Sequence, residues 1–132
     1  MQIHKKLRPG VEIVAETFGA GEPVEKHAYY TIKLRIWLRR GDPVIWKTLR
    51  GLVDHACLED DGATLIHVSR IDRVSMIAGL FYGIQGMRIG GTRMLRVAPH
   101  LAYGAAGVPG GIPENAVLTI EVQVLSRHGG SA

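Results

Sequence analysis

Residues 79–125 read GLFYGIQGMRIGGTRMLRVAPHLAYGAAGVPGGIPENAVLTIEVQVL, and this stretch decides the fold. Its centre, residues 98–116, is dense in proline and glycine, which is typical of a long loop with a specified conformation. Apolar residues alternate with polar ones on both sides of this loop, which predicts strands with one buried face. The residues on those buried faces are Leu95 and Val97 before the loop and Leu118, Ile120, Val122 and Val124 after it.

The same alternation marks residues 30–39, where Ile32, Leu34 and Ile36 share one face of a half-buried antiparallel strand. We expect further strands at residues 11–18 and 64–69, and a returning strand that begins at residues 44–46. The strand at 64–69 has two open registers: either Ile66 and Val68 point inward, or His67 and Ser69 do.

A short helix is predicted over residues 76–84, with Ser75 as its N-cap. Ile77, Leu80 and Ile84 lie on one face of that helix. An antiparallel sheet wrapped around the helix would bury this face together with the strand faces. The pattern therefore predicts an α+β fold in which strands surround one short helix.

Composition indicates a single globular domain of 132 residues, with 46% hydrophobic and 21% charged residues. The lone cysteine, Cys57, excludes internal disulfides, and the first ten residues contain no apolar leader. We therefore expect a cytoplasmic protein without a membrane span. The net charge of +4 is spread along the chain without a nucleic-acid motif, so nucleic acid is an unlikely partner.

Metal binding is not expected. The six histidines are scattered, and the spacing of His55 and Cys57 supplies two ligands where a structural zinc site requires four. Residues 47–63, which contain this pair, form an atypical extended segment. We expect a short helix within residues 48–58, followed by an acidic turn.

A set of spaced residues in the second half of the chain resembles the FKBP family of peptidyl-prolyl cis-trans isomerases. The resemblance is tight over residues 76–125 and looser before them. It implies a curved antiparallel sheet of five or six strands around the helix, with an apolar pocket between them. The residues that carry the resemblance are Gly86-Met87, Gly90-Gly91, Arg93, Leu95, Pro99, Ala102-Tyr103-Gly104, Ile112-Pro113, Asn115-Ala116 and residues 121–125.

The activity implied by the resemblance is isomerisation of X-Pro bonds in proline-containing polypeptides. Rotation of this bond needs no cofactor, because a dry pocket favours the twisted amide over the charge-separated planar one. By resemblance, the Tyr103 hydroxyl and the backbone N–H of Ile77 are the catalytic donors, and residues 102–116 form a lid. The implied substrate-binding residues are Leu34, Val44, Met76, Leu80, Ile112 and Ile120.

Several pocket positions depart from the family. Its pocket tyrosine, floor tryptophan and wall phenylalanine fall at Leu34, Leu80 and Ile120, and its Phe-Asp pair falls at Val44-Ile45. We therefore expect weak isomerase activity. The alternative is a catalytically silent FKBP-like module that binds peptides or a partner protein.

Phe81 and Tyr82 are a second departure, because two adjacent aromatic residues on a short helix cannot both face the core. Either the 47–63 segment folds over them or a second subunit covers them. The second reading predicts a homodimer formed through Phe81 and Tyr82.

Overall fold

The computed structural model describes residues 2–49 and 53–129, and its strands form one antiparallel sheet packed on one helix. The spatial order of the strands is β1-β2-β5-β6-β3-β4. The predicted α+β fold is confirmed, with six strands. These are β1 (Gln2–Arg8), β2 (Val11–Thr17), β3 (Tyr29–Leu38), β4 (Leu65–Arg70), β5 (Thr92–Val97) and β6 (Leu118–Arg127), and the helix is α1 (Ala78–Ile84).

The core lies between α1 and the apolar face of the sheet. β3 and β6 are neighbouring strands, and their alternating apolar residues are almost fully buried. Helix α1 approaches β5 so closely that a Cβ atom on Gly79 would overlap the side chain of Val97, and one on Gly83 would overlap Leu95. The two glycines therefore set the distance between helix and sheet.

Strand β1 was not predicted from the sequence. It pairs with β2 as a hairpin, and Gly10 adopts a φ of 92° at the turn between them. The expected strand at residues 11–18 is thus the second strand. β1 lies at an edge of the sheet and carries three charged residues, Lys5, Lys6 and Arg8, so it lacks the apolar alternation that marks the other strands.

The prediction of a returning strand at residues 44–46 was wrong. The N–H of Val44 donates to the carbonyl of Ile36, but the chain then turns into a 3-10 helix, Trp46–Thr48. The expected helix within residues 48–58 is also replaced by a 3-10 helix, His55–Cys57, in which the Asp54 carboxylate accepts from the N–H of Ala56 at 2.9 Å. Residues 50–52 lie outside the described part of the chain.

Helix α1 begins two residues later than predicted, and Ser75 does not cap it. The Asp72 carboxylate accepts hydrogen bonds from the N–H groups of Val74 and Ser75, at 3.0 and 2.6 Å. This turn holds the approach to the helix in a non-helical conformation, so that Ile77 becomes the N-cap.

The aromatic pair on α1 lies near the N-terminal hairpin. Phe81 packs against the core, while the guanidinium of Arg8 lies 3.7 Å from the centroid of the Tyr82 ring. Arg73 donates to the Tyr82 hydroxyl at 3.0 Å. Two arginines thus contact Tyr82, and the homodimer through this pair stays a prediction.

Among the described residues, no helix is long and apolar enough to cross a membrane.

Candidate functional site

A cavity of about 600 Å³ lies between the sheet and the N-terminal end of α1. This volume is within the range of small-ligand and peptide pockets. Apolar residues, most of them aliphatic, make up the larger part of its lining, and polar side chains make up the rest. The lining residues are Ile32, Leu34, Ile36, Trp46, Val53, Asp54, Cys57, Leu65, His67, Ser69, Arg73, Val74, Ser75, Met76, Ile77, Leu80, Tyr103 and Ile120.

Most of the predicted site residues come together around this cavity. β3 and β6 contribute Leu34 and Ile120, and α1 contributes Leu80. These three side chains are buried because they continue the apolar face of the core. The remaining predicted residues that line the cavity are Met76, Ile77 and Tyr103.

Val44 and Ile112 do not line the cavity, so their assignment as substrate-binding residues is not supported. Both side chains are part of the core, with only 1% and 3% of their surface exposed. The backbone of Val44 is tied to β3 by the bond from its N–H to the carbonyl of Ile36. Ile112 is drawn inward by the loop, where its N–H donates to Val108.

The loop residues that line the cavity differ from the predicted lid. Of residues 102–116, only Tyr103 lines the cavity. The 47–63 segment supplies Val53, Asp54 and Cys57 instead. The atypical segment therefore forms part of the candidate site.

The Tyr103 hydroxyl has no hydrogen-bond partner among the described residues. Burial raises the pKa of Tyr103 above its usual value, so the hydroxyl stays protonated at neutral pH. It is therefore a hydrogen-bond donor without an internal acceptor, in a side chain that lines the cavity. A carbonyl oxygen of a bound molecule would satisfy it.

The backbone of Ile77 forms the beginning of the helix at the cavity. Its carbonyl accepts from the N–H groups of Leu80 and Phe81, at 3.1 and 3.0 Å. Its own N–H donates to no acceptor within residues 2–49 and 53–129. Free N–H groups of this kind are expected in the first turn of a helix.

Trp46 is a cavity residue that the sequence analysis did not identify. Its side chain is 2% exposed, and its ring centroid lies 6.4 Å from that of Tyr103. The indole Nε1 is buried without a partner in the described structure. Trp46 supplies an aromatic ring to a cavity in which Leu34, Leu80 and Ile120 are aliphatic. Trp46 was not assigned to the cavity from the sequence, because a strand was expected to begin at residues 44–46.

His67 is the second cavity residue that was not assigned. In β4, Leu65 and Ser69 are buried with His67 between them, whereas Val68 is 42% exposed. The register with His67 and Ser69 inward, one of the two predicted alternatives, is the observed one. Burial lowers the pKa of His67 below its usual value. Its Nδ1 is buried and has no partner in the described structure.

No cluster of three or more His, Cys, Asp or Glu side chains suited to a metal ion occurs in the part of the chain that the structure describes.

Comparison with known proteins places residues 64–125 in the sequence model described as FKBP-type peptidyl-prolyl cis-trans isomerase. The chloroplastic peptidyl-prolyl cis-trans isomerase FKBP16-4 of Arabidopsis thaliana is 36% identical over 83 residues, 61% of this chain. Human FKBP10 is 49% identical over 55 residues, 42% of this chain. The chain spans only 36% and 9% of the length of these two relatives.

The fold is also that of solved FKBP domains. The N-terminal domain of FKBP42 from Arabidopsis thaliana superposes with a TM-score of 0.70 at 21% identity, covering 97% of this chain and 94% of that one. The sequence match, the fold and the spaced residues around Tyr103 agree. Residues 64–125 of the chain match the FKBP-type peptidyl-prolyl cis-trans isomerase family, and the chain as a whole has the fold of FKBP domains.

Proposed function

We propose that this domain is a peptidyl-prolyl cis-trans isomerase that acts on X-Pro bonds of polypeptides. The observation that carries the proposal is the unpartnered Tyr103 hydroxyl in the wall of a largely aliphatic cavity. Both parts suit a reaction whose barrier, about 18–20 kcal/mol, comes from amide resonance.

The aliphatic side of the cavity would receive the proline ring. Leu34, Leu80 and Ile120 offer a buried surface whose side chains contain no hydrogen-bond acceptor. Removing water from the X-Pro amide disfavours its charge-separated planar form relative to the twisted form. This part of the catalysis requires a cavity that fits the proline ring and excludes water, and it requires no nucleophile.

The donors at the cavity would hold the substrate carbonyls while the bond rotates. The Tyr103 hydroxyl is carried by a partly buried ring that packs against the core, and the Ile77 N–H is fixed by the start of α1. A donor that binds the twisted amide better than the planar one lowers the barrier. Tyr103 and Ile77 are therefore the proposed catalytic groups, and Met76 and Trp46 complete the binding surface.

The rate of cis-trans exchange in a capped Ala-Leu-Pro-Phe peptide, measured by NMR exchange spectroscopy, tests the proposal. We expect the wild type to accelerate exchange and Tyr103→Phe to lower the rate about tenfold, the effect of losing one hydrogen bond. The matched control is Tyr29→Phe, which removes the hydroxyl of a tyrosine that is 50% exposed and does not line the cavity. No acceleration by a folded wild type would reject the proposal.

A silent peptide-binding module is the second candidate, favoured by the polar side of the cavity. Asp54, His67 and Arg73 bring polar groups to a pocket that catalysis by desolvation requires to be dry. The same titration separates the two functions. Peptide resonances that shift on binding without faster exchange would indicate the silent module.

A further inference from the structure

His67 lines the cavity, but the function proposed above assigns it no role. Its imidazole is neither part of the aliphatic surface nor one of the two proposed donors. It lies on β4, one of the two edge strands of the sheet, between the buried residues Leu65 and Ser69. An imidazole at this point brings a polar ring to a wall shared with Ile32 and Leu34. A buried polar group without a partner costs free energy, which a bound ligand can recover.

The two ring nitrogens of His67 differ in their surroundings. Nδ1 is buried and unpartnered, whereas Nε2 is not closed off from solvent and bonds to none of the described residues. A proton on Nδ1 would be a buried donor without an acceptor. The neutral ring therefore carries its proton on Nε2, which leaves an N–H donor available to the cavity.

Resting on the proposed function, we propose that His67 is a specificity-determining residue, a neutral donor that binds a backbone carbonyl of the bound polypeptide through Nε2. Proline has no backbone N–H, so a segment around an X-Pro bond offers more acceptors than donors. Such a segment needs donors when it enters an aliphatic cavity. Tyr103, Ile77 and His67 would supply three of them from three sides.

Protonation would oppose this role. A proton added to His67 would go to Nδ1, where no described residue accepts it, and bound peptide would bury the resulting cation further. Protonation of His67 and peptide binding therefore oppose each other. By linkage, the affinity for the peptide decreases as the pH is lowered. The titratable or charged groups that share the cavity are Asp54 and Cys57 from the 47–63 segment, Arg73 before α1, and Tyr103.

The test measures the affinity of a capped Ala-Leu-Pro-Phe peptide, which has no titratable group, between pH 8 and pH 5. Trp46 fluorescence in a Trp37→Phe background reports binding, because Trp46 lines the cavity and Trp37 does not. We expect the dissociation constant to rise up to about tenfold per pH unit below the pKa of free His67. His67→Gln keeps a donor but does not titrate, so its affinity should stay constant with pH.

A second variant separates hydrogen bonding from charge. His67→Leu should show a flat profile and bind about fivefold more weakly than the wild type at pH 8, since it lacks the donor. Amide NMR spectra check that each variant is folded, and ¹⁵N shifts of the wild-type ring should show the Nε2–H tautomer.

Three results would overturn the inference: an Nδ1–H tautomer, a flat wild-type profile, or a leucine variant as tight as the wild type. In each of these cases the isomerase proposal could still stand. A folded wild type that binds no peptide at pH 8 would overturn both proposals together.

Discussion

Arg93 shows how one buried cation can join a sheet to the end of a helix. Its guanidinium donates to the Glu16 carboxylate at 2.7 Å, and to the carbonyls of Gly83 and Gln85 at 2.9 and 2.6 Å. The side chains of Arg93 and Glu16 are 8% and 6% exposed. The arginine therefore neutralises a buried charge and satisfies carbonyls at the C-terminal end of α1.

Removing this cation should be strongly destabilising. We expect Arg93→Met to lower the free energy of unfolding by about 3–5 kcal/mol, because the Glu16 carboxylate would remain buried without its partner. Urea denaturation at pH 7 measures the change. Arg96→Met is the matched control, since Arg96 pairs with Glu12 at 3.1 Å but is 54% exposed. This control should lose less than about 1 kcal/mol. Equal losses in the two variants would contradict the prediction.

Asp61 links pH to stability through a single turn. The Thr64 hydroxyl and the N–H groups of Ala63 and Thr64 donate to its carboxylate, and they lower its pKa from 3.8 to about 2. A carboxyl with a depressed pKa stabilises the fold above its unfolded pKa. This stabilisation is lost as the pH falls from about 4 towards 2.

Replacing Asp61 by asparagine should therefore reduce the acid sensitivity of the fold. We expect Asp61→Asn to cost about 1 kcal/mol at pH 7, a value discounted because the side chain is 39% exposed. The variant should also lose less stability than the wild type between pH 4 and pH 2. Urea midpoints at pH 7, 4 and 2 provide the measurement, with Asp60→Asn as the control. Parallel curves for wild type and Asp61→Asn would contradict the assignment.

At the scale of elements, helix α1 depends on the absence of side chains. Glycine normally weakens a helix by about 1 kcal/mol relative to alanine. At position 79 the order should reverse, because an alanine Cβ would overlap Val97 on β5. We expect Gly79→Ala to destabilise the fold by about 1–3 kcal/mol, the usual cost of overpacking.

A double-mutant cycle identifies the clash as the cause. Val97→Ala makes room beside the helix, so the double variant should be more stable than the sum of the single losses predicts. Thermal denaturation of the four proteins supplies the cycle. Additive losses would show that the overlap with Val97 does not account for the effect.

Elements were predictable where hydrophobic alternation was strong. The alternation from Tyr30 onward marked β3 with nearly correct bounds, and the apolar residues of β5 and β6 were equally clear. Three features failed for physical reasons. β1 is an edge strand rich in charge, Trp46 follows Val44 into the core through a 3-10 turn, and Asp72 caps the chain ahead of α1. Each of these depends on tertiary contacts or local hydrogen bonds rather than on periodicity.

At the scale of the whole molecule, the site was predicted only in part. Residues such as Leu34 and Tyr103 were found because the family pattern fixes their place. Trp46 and His67 were missed, since one required a turn and the other a strand register that the local sequence left open. Their side chains meet in the cavity only when the sheet closes over α1.

The predicted homodimer concerns the surface of the molecule at Phe81 and Tyr82. If a second subunit covers Phe81 and Tyr82, sedimentation should give a dimer for the wild type and a monomer for a Phe81→Glu/Tyr82→Lys variant. The apolar surface removed from water would drive this association. A wild type that sediments as a monomer at high concentration would contradict it. The cytoplasmic location also stays a prediction.

The residues that line the cavity are not equally well anchored. Many belong to the sheet, whereas Val53, Asp54 and Cys57 belong to a segment held by the 3-10 helix His55–Cys57 and by the bridge between Leu58 and Leu65. Backbone amides in a segment with few hydrogen bonds exchange with deuterium much faster than those of a central strand. We therefore expect amide exchange near Cys57 to be faster than in strands β3 and β6.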